Sequence, residues 1–256
     1  MKTLLISFII MLFSVAGFAK KKQSLFNGKD LTGWYVYVND TNVDPNKYFY
    51  VNNGAIETVG VPAGYLRTQK EYSNYRLHVE WRYPEKEVNS GIMLHVTGPD
   101  KIWVAHYQAN LKHLSVGDFV VHGVGQKATI NGKEYVSTEK EKPAVPKLNP
   151  SNEKPAGEWN SYDIACKGNT IEVKVNGLLQ NTFVCLGTTK APALIAIVRP
   201  KVTGHELDNT ETNVFGHGAT VRTQHDALGS LSKLRLKGQM IVRVPWSKPC
   251  TKEQHQ

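Results

Sequence analysis

The sequence predicts an all-β fold, a sandwich of two antiparallel sheets, and three observations carry that expectation. Between about Ser24 and Leu179, apolar and polar residues alternate with a period of two over successive short segments, the period of a strand with one buried face. Gly, Asn and Pro cluster between those segments, as turn chemistry requires. No long stretch carries the apolar period of an amphipathic helix. The chain has 256 residues, 41% hydrophobic and 21% charged, enough for a real core and incompatible with wholesale disorder.

The clearest strand is Tyr75 to Tyr83. Tyr75, Leu77, Val79, Trp81 and Tyr83 share one face, Arg76, His78, Glu80 and Arg82 the other, and Pro84 ends the run. In Gly91 to Val96 the alternation puts Ile92, Leu94 and Val96 on the apolar face and Gly91, Met93 and His95 opposite. Ile102 to Leu111 repeats it, with Trp103, Ala105, Tyr107, Ala109 and Leu111 against Ile102, Val104, His106, Gln108 and Asn110. Phe119 to His122 is a short strand, and Gly132 to Pro155, rich in Lys, Glu and Pro, reads as an exposed loop. Asn160 to Cys166 and Thr170 to Val175 flank Lys167-Gly168-Asn169, a hairpin turn, and Asn176-Gly177 marks another. Beyond Asn181 the alternation survives only in Ala193 to Val198 and Leu231 to Val244. There is no internal repeat.

Residues 1–19 read as a secretory signal: Lys2 for the charged region, Leu4 to Val15 for the apolar region, Gly17-Phe18-Ala19 for the cleavage site. The apolar run is short for a spanning helix, although an uncleaved anchor is the alternative. No lipobox Cys follows it. Periplasmic or secreted localisation by a bacterial export signal is therefore expected, with no membrane association after cleavage. In an oxidising compartment Cys166, Cys185 and Cys250 allow one disulfide and leave one thiol. Their spacing matches no zinc module.

The net charge of +9 suggests a polyanion partner until it is located. Residues 181–256 hold ten basic and five acidic residues, whereas residues 20–180 hold twenty and seventeen. The main body is nearly balanced, which argues against nucleic acid as its partner.

Several segments resemble the 3-keto-disaccharide hydrolase domain family (DUF1080). They are Leu25-Phe-Asn-Gly-Lys-Asp-Leu-Thr-Gly-Trp34, Asn53-Gly-Ala-Ile56, Leu66-Arg-Thr68, Tyr75 to Tyr83, Asn89-Ser-Gly-Ile92, Gly117-Asp-Phe119, Lys154-Pro-Ala-Gly-Glu-Trp-Asn-Ser-Tyr162 and Val175-Asn-Gly-Leu-Leu-Gln180. The resemblance spans about residues 24–180. It implies a concanavalin-like jelly-roll β-sandwich, exported by bacteria, that cleaves glycosides oxidised at sugar C3. The chain departs from the family pattern twice. Where members carry Glu-x-Gln in a central strand, Gln108 and Asn110 stand here. The closing motifs Leu-Gln-Ser-x-Gly and Glu-Phe-Arg-Asn are missing after Gln180. Residues 181–256 are thus expected to be a divergent, basic, poorly ordered segment, either a genuine divergence or the product of a reading-frame change near 180–185 that the source DNA would reveal.

In a sandwich of this type the outer face of the curved sheet forms the sugar cleft. The alternation sends Glu80, His95, His106, Gln108 and Asn110 to faces opposite the core. A C3 ketone acidifies the C2 proton, so a base there, a donor or cation at the C3 oxygen and an acid for the departing C1 oxygen would suffice for elimination. Hydration would then give the hydrolysis product. On this reading His106 or His95 is the base, Glu80 orients a His or serves as acid, and Gln108 and Asn110 hold the sugar and its keto oxygen. Asn89, Ser90 and Asp118 are further substrate contacts, with strand-entry turn and loop cap as their plain alternatives. Trp103, Trp34 and Trp159 read as packing residues. No cofactor is expected; a divalent cation is allowed, and His95, His106, His122 and Glu80 are the residues that could ligate it. The expected partner is a carbohydrate substrate, with oligomeric state open. A non-catalytic carbohydrate-binding sandwich is the rival, favoured by Gln108 in place of the Glu. An inactive or partly folded product is a third reading, should the tail not supply closing strands.

Overall fold

The structure is a computed structural model that describes residues 22–40, 42–58, 62–83, 89–187, 194–198 and 234–243. The segment expected to be a signal, residues 1–19, lies outside the described residues, as do Pro84 and Cys250. In chain order the strands are β1 (Lys22–Ser24), β2 (Trp34–Val38), β3 (Phe49–Asn52), β4 (Ala55–Thr58), β5 (Gly64–Thr68), β6 (Arg76–Arg82), β7 (Gly91–Thr97), β8 (Ala105–Asn110) and β9 (Phe119–His122). They continue with β10 (Lys127–Ile130), β11 (Lys133–Val136), β12 (Ala144–Val145), β13 (Asn160–Lys167), β14 (Thr170–Val175), β15 (Leu178–Cys185), β16 (Leu194–Val198) and β17 (Leu234–Arg243). A single 3-10 turn at Pro45–Lys47 is the only helical element among the described residues.

The strands form two antiparallel sheets. One has ten strands, ordered β11-β10-β15-β14-β13-β6-β17-β4-β3 with β1 paired to β17; the other has seven, ordered β12-β9-β8-β7-β16-β5-β2. This is the expected two-sheet sandwich. β16 and β17 change the expected boundary. The sandwich does not end at residue 180: β15 runs on to Cys185, β16 pairs with both β5 and β7, and β17 pairs with both β4 and β6. Each closes its sheet by bridging strands that are far apart in sequence. The Gly132–Pro155 stretch also carries two short edge strands, β11 and β12.

The apolar faces meet between the sheets. Tyr107 and Phe119 of the seven-stranded sheet pack on Phe183 of the ten-stranded one, with Phe119 and Phe183 centroids 3.5 Å apart. Trp81, Tyr75, Tyr162, Leu77 and Ile164 are almost wholly buried, each side chain of that size contributing about 1.5–3 kcal/mol. Their polar atoms also tie the sheets together. Tyr162 Oη donates to Asn110 O and accepts from Gly117 N, and Tyr107 Oη donates to Lys127 O. Strand β8 is thereby held from its inner side. Much of the family signature is turn chemistry: Asn27 Oδ1 accepts the Lys29 and Asp30 amides, Asp30 Oδ1 the Thr32 amide, and Asn160 Oδ1 the Lys154 amide. Trp34 is a packing residue as expected, its Nε1 donating to Leu25 O. Cys166 and Cys185 are buried thiols, not disulfide partners of one another.

The face assignment fails in two places. Between Leu94 and Thr97, β7 carries one residue more than β8, and His95 sits at φ 54°. This β-bulge exchanges the faces of the next two residues. Val96 joins Met93, Tyr65, Val104 and Ala196 in an apolar cluster on the outer face, while the His95 ring lies edge-on to core residue Tyr107 at 6.0 Å. The second is Trp103. Strand β8 begins at Ala105, so the parity argument does not reach back to Trp103, which is 46% exposed.

Candidate functional site

The outer face of the seven-stranded sheet carries the polar constellation. Strand register puts Val120, Gln108, Met93, Ala196, Arg67 and Tyr35 in one row across five strand pairings. The adjacent row holds His106 opposite His122, and the row on the other side begins with Asn110 opposite Gly91. Alternation along β8 therefore sets His106, Gln108 and Asn110 side by side, as expected from the sequence.

His106 has no exposed surface. Its Nδ1 is 2.6 Å from Val104 O, an acceptor, so Nδ1 bears the proton and the lone pair is on Nε2. Nε2 is buried and makes no hydrogen bond of ordinary geometry, although the Gln108 side chain lies close enough to act on the ring. Desolvation, reinforced by His122, holds the pKa down to about 3, against smaller opposing contributions from Val104 O and the Gln108 amide. The His122 ring stacks on His106 at 4.5 Å, and its pKa is lowered to about 4, chiefly by burial. Trp103 stacks on the far side of His122 at 5.5 Å, with planes 6° apart. Gln108 folds over Gly91, where a Cβ would come within 2.4 Å of its amide carbon, so a larger residue there would push the Gln108 side chain from this position. Gln108 Nε2 donates to Asn110 Oδ1 at 3.4 Å, and both residues are 8% exposed.

The cover over this face is the β7–β8 connection, residues 98–104, which lies across the sheet as a strap. At one end Asp100 accepts from Arg67 Nε and Nη2, both at 2.8 Å, and from Tyr65 Oη at 2.5 Å. The Arg67 hydrogen bonds hold the Asp100 carboxyl below its ordinary range. Arg67 also sits over the Tyr35 ring at 4.3 Å. At the middle, Val104 packs into the Met93–Tyr65–Val96–Ala196 cluster; at the other end Trp103 covers His122. The strap thus reaches from β5 to β9.

The remaining expected site residues are dispersed. His95 points to the core, with both ring nitrogens unpartnered and its pKa lowered by burial to about 4, so it is not a base on this face. Glu80 lies on the opposite sheet, 3.7 Å from His78, which pairs with Asp163 at 2.7 Å. It can neither orient His106 nor protonate a group beside it. Asp118 accepts the Lys147 amide at 3.0 Å and pairs with its Nζ at 3.4 Å, the loop-cap role, while its carbonyl accepts from Asn110 N. Ser90 is buried and its carbonyl takes Leu111 N; Asn89 is half-buried at the start of β7. Both immediately precede β7. The metal grouping of His95, His106, His122 and Glu80 is therefore not assembled. Among the described residues no group of three His, Cys, Asp or Glu is arranged to hold a metal ion.

Tyr65, Arg67, Asp100 and Trp103 join the site without having been expected there. The alternations Tyr35-Val36-Tyr37 and Tyr65-Leu66-Arg67 contain a signal. Asp100 sits in a Gly-Pro-Asp turn sequence that carries none.

The 3-keto-alpha-glucoside-1,2-lyase-like domain model matches residues 21–222. The chain belongs to this family. The matched range extends well past residue 180, consistent with β16 standing inside the sandwich. A comparison with curated proteins returned no match. Among solved structures, this 3-keto-alpha-glucoside-1,2-lyase-like chain is similar to a candidate glycosyl hydrolase from Parabacteroides distasonis, with TM-score 0.53 and 20% identity over 88% of this chain and 94% of that one. It is similar also to the β-glucanase of Bacillus licheniformis (TM-score 0.50, 14% identity, 87% and 97% covered). The catalytic domain of an endo-1,3-β-glucanase from Thermotoga petrophila RKU-1 matches at TM-score 0.51 and 10% identity, covering 89% and 97%. At these identities the likeness establishes the jelly-roll fold.

Proposed function

We propose that this family member is an exported bacterial enzyme that cleaves 3-keto-glycosides by elimination on the outer face of the seven-stranded sheet. The observation that carries the reading is the tautomer of His106. Val104 O commits Nδ1, leaving the lone pair on Nε2, and alternation along β8 sets Gln108 and Asn110 on the same face as His106. In the proposed step Nε2 takes the C2 proton, the C2–H electrons form the C1–C2 double bond, and the C1–O bond breaks toward the departing sugar. The imidazolium then returns the proton to that oxygen. Amide N–H groups of Gln108 or Asn110 stabilise the charge that develops on the C3 oxygen. Because His106 is covered, substrate reaches Nε2 with the Asp100 end of the strap displaced while Trp103 keeps its stack on His122. Rehydration on opening moves the imidazole toward its ordinary range, where it is an effective base near neutral pH.

The rival reading is a non-catalytic carbohydrate-binding sandwich. It is favoured by Gln108 standing where the resembled pattern carries Glu, and by Arg67 and Tyr65 occupying the Asp100 carboxylate. Incubation with a 3-keto-disaccharide separates the two. Release of the second sugar, lost in His106→Ala, supports elimination; binding without turnover leaves the binding module. No resident metal is required by this scheme, so turnover is expected to survive exhaustive chelation with EDTA. Loss restored by a divalent cation would replace the amides with an ion at the C3 oxygen.

A further inference from the structure

Trp103 is the large aromatic residue of this face whose surface is within reach in the structure as it stands. It is 46% exposed, against 8% for Gln108 and Asn110 and none for His106. Its ring plane is 6° from that of His122, so one indole face is backed by an imidazole and the parallel face is turned away from the stack. About half exposure is what a flat ring with one covered face retains. His122 is itself backed by His106 at 4.5 Å, so the indole is held by two successive stacks instead of swinging freely. An exposed, immobilised indole offers a flat apolar surface at low entropic cost. The apolar C–H face of a pyranose ring has the matching shape and size. Tyr35, at 43% exposure, is the other exposed aromatic residue of this face. It lies four strand pairings from β8, roughly 19 Å at ordinary strand spacing, too far for a disaccharide held at His106. Trp103 is two ring stacks from His106.

We propose that Trp103 is a sugar-stacking subsite for the unoxidised, departing sugar of the substrate, held flat by His122. This rests on the elimination reading for the identity of the departing ring, while the platform itself is independent of it. The test uses the full-length protein with two substrates, a 3-keto-disaccharide and the corresponding methyl 3-ketoglucoside, whose leaving group is too small to stack. Trp103→Ala is expected to lower kcat/KM for the disaccharide roughly three- to tenfold more than for the methyl glycoside, with Trp103→Phe restoring most of the disaccharide rate. Equal losses for both substrates assign Trp103 to packing over His122 and overturn the subsite; equal retention for both does the same. If the wild-type protein turns over neither substrate, the elimination reading fails. The subsite is then judged by calorimetric binding of the unoxidised disaccharide. Weaker binding in Trp103→Ala, recovered in Trp103→Phe, upholds it, and unchanged binding overturns it.

Discussion

Both sheets carry histidine on the outward face of a strand, and the two faces use it differently. On the ten-stranded sheet His78 stands half-exposed between Glu80 and Asp163, with carboxylates at 3.7 and 2.7 Å. On the seven-stranded sheet His106 and His122 stack beneath a strap, with no carboxylate at hand and their pKa values driven down by burial. Strand alternation produces both positions, so polarity of a face does not by itself distinguish a solvated surface from a dry site. The difference is cover. A seven-residue connection latched by Arg67 and Tyr65 lies over the face on which His106 is wholly covered, and exclusion of water is what gives an imidazole lone pair or an amide dipole its chemical leverage.

The sharpest way to break that comparison is to exchange activity between faces. His106→Ala is expected to reduce turnover of a 3-keto-disaccharide by about 10²–10⁴-fold, while His78→Ala leaves it unchanged. Loss in the His78 variant instead would move the chemistry to the other sheet.

The next effect is on stability against pH. The folded values near 4 for His95 and His122 and near 3 for His106 lie below the ordinary imidazole value of 6.5. Above 6.5 both folded and unfolded chains hold these rings neutral. Below it the unfolded chain takes up protons that the folded chain refuses, so stability falls from about pH 6.5 down through the folded values. Each ring steepens the slope by about 1.4 kcal/mol per pH unit at most. Chemical denaturation between pH 7.5 and 4.5 measures it, and His122→Asn is expected to flatten the dependence; an identical slope in that variant would mean the ring is hydrated.

A smaller change is expected at the latch. Arg67→Met leaves Asp100 without its main partner and costs about 1–3 kcal/mol, with faster amide exchange confined to residues 98–104. Unchanged exchange there would show that Val104 and Trp103 hold the strap unaided. The smallest effect belongs to the exposed pair: Asp163→Ala beside His78 is expected to change stability by less than about 1 kcal/mol, and a larger loss in thermal unfolding would show that this face too is structurally committed.

Much of the architecture is legible in the order of the residues. The run from Tyr75 to Tyr83 forms β6 with the expected burial, and the row His106, Gln108, Asn110 follows from parity alone. Even the closing strands leave a trace, since the surviving alternations at 193–198 and 231–244 contain β16 and β17. Their destinations are not legible, because insertion between β5 and β7, or between β4 and β6, depends on backbone pairing with strands distant in the chain. The misplaced residues have local physical causes. His95 sits in an unbroken Leu-His-Val alternation, and the extra residue that turns it inward exists only relative to β8 and β16. Trp103 continues the β8 parity on paper, but the strand starts two residues later.

What the sequence by itself determined is the fold class, the strands and the residue types each strand can present, because side-chain period and turn chemistry are local properties of the chain. Only the tertiary structure decided which of those residues meet. It separated Glu80 from His106 and His122, turned His95 into the core and laid Asp100 on Arg67, because sheet membership, bulges and the path of a connecting loop are relations between strands that no single segment encodes.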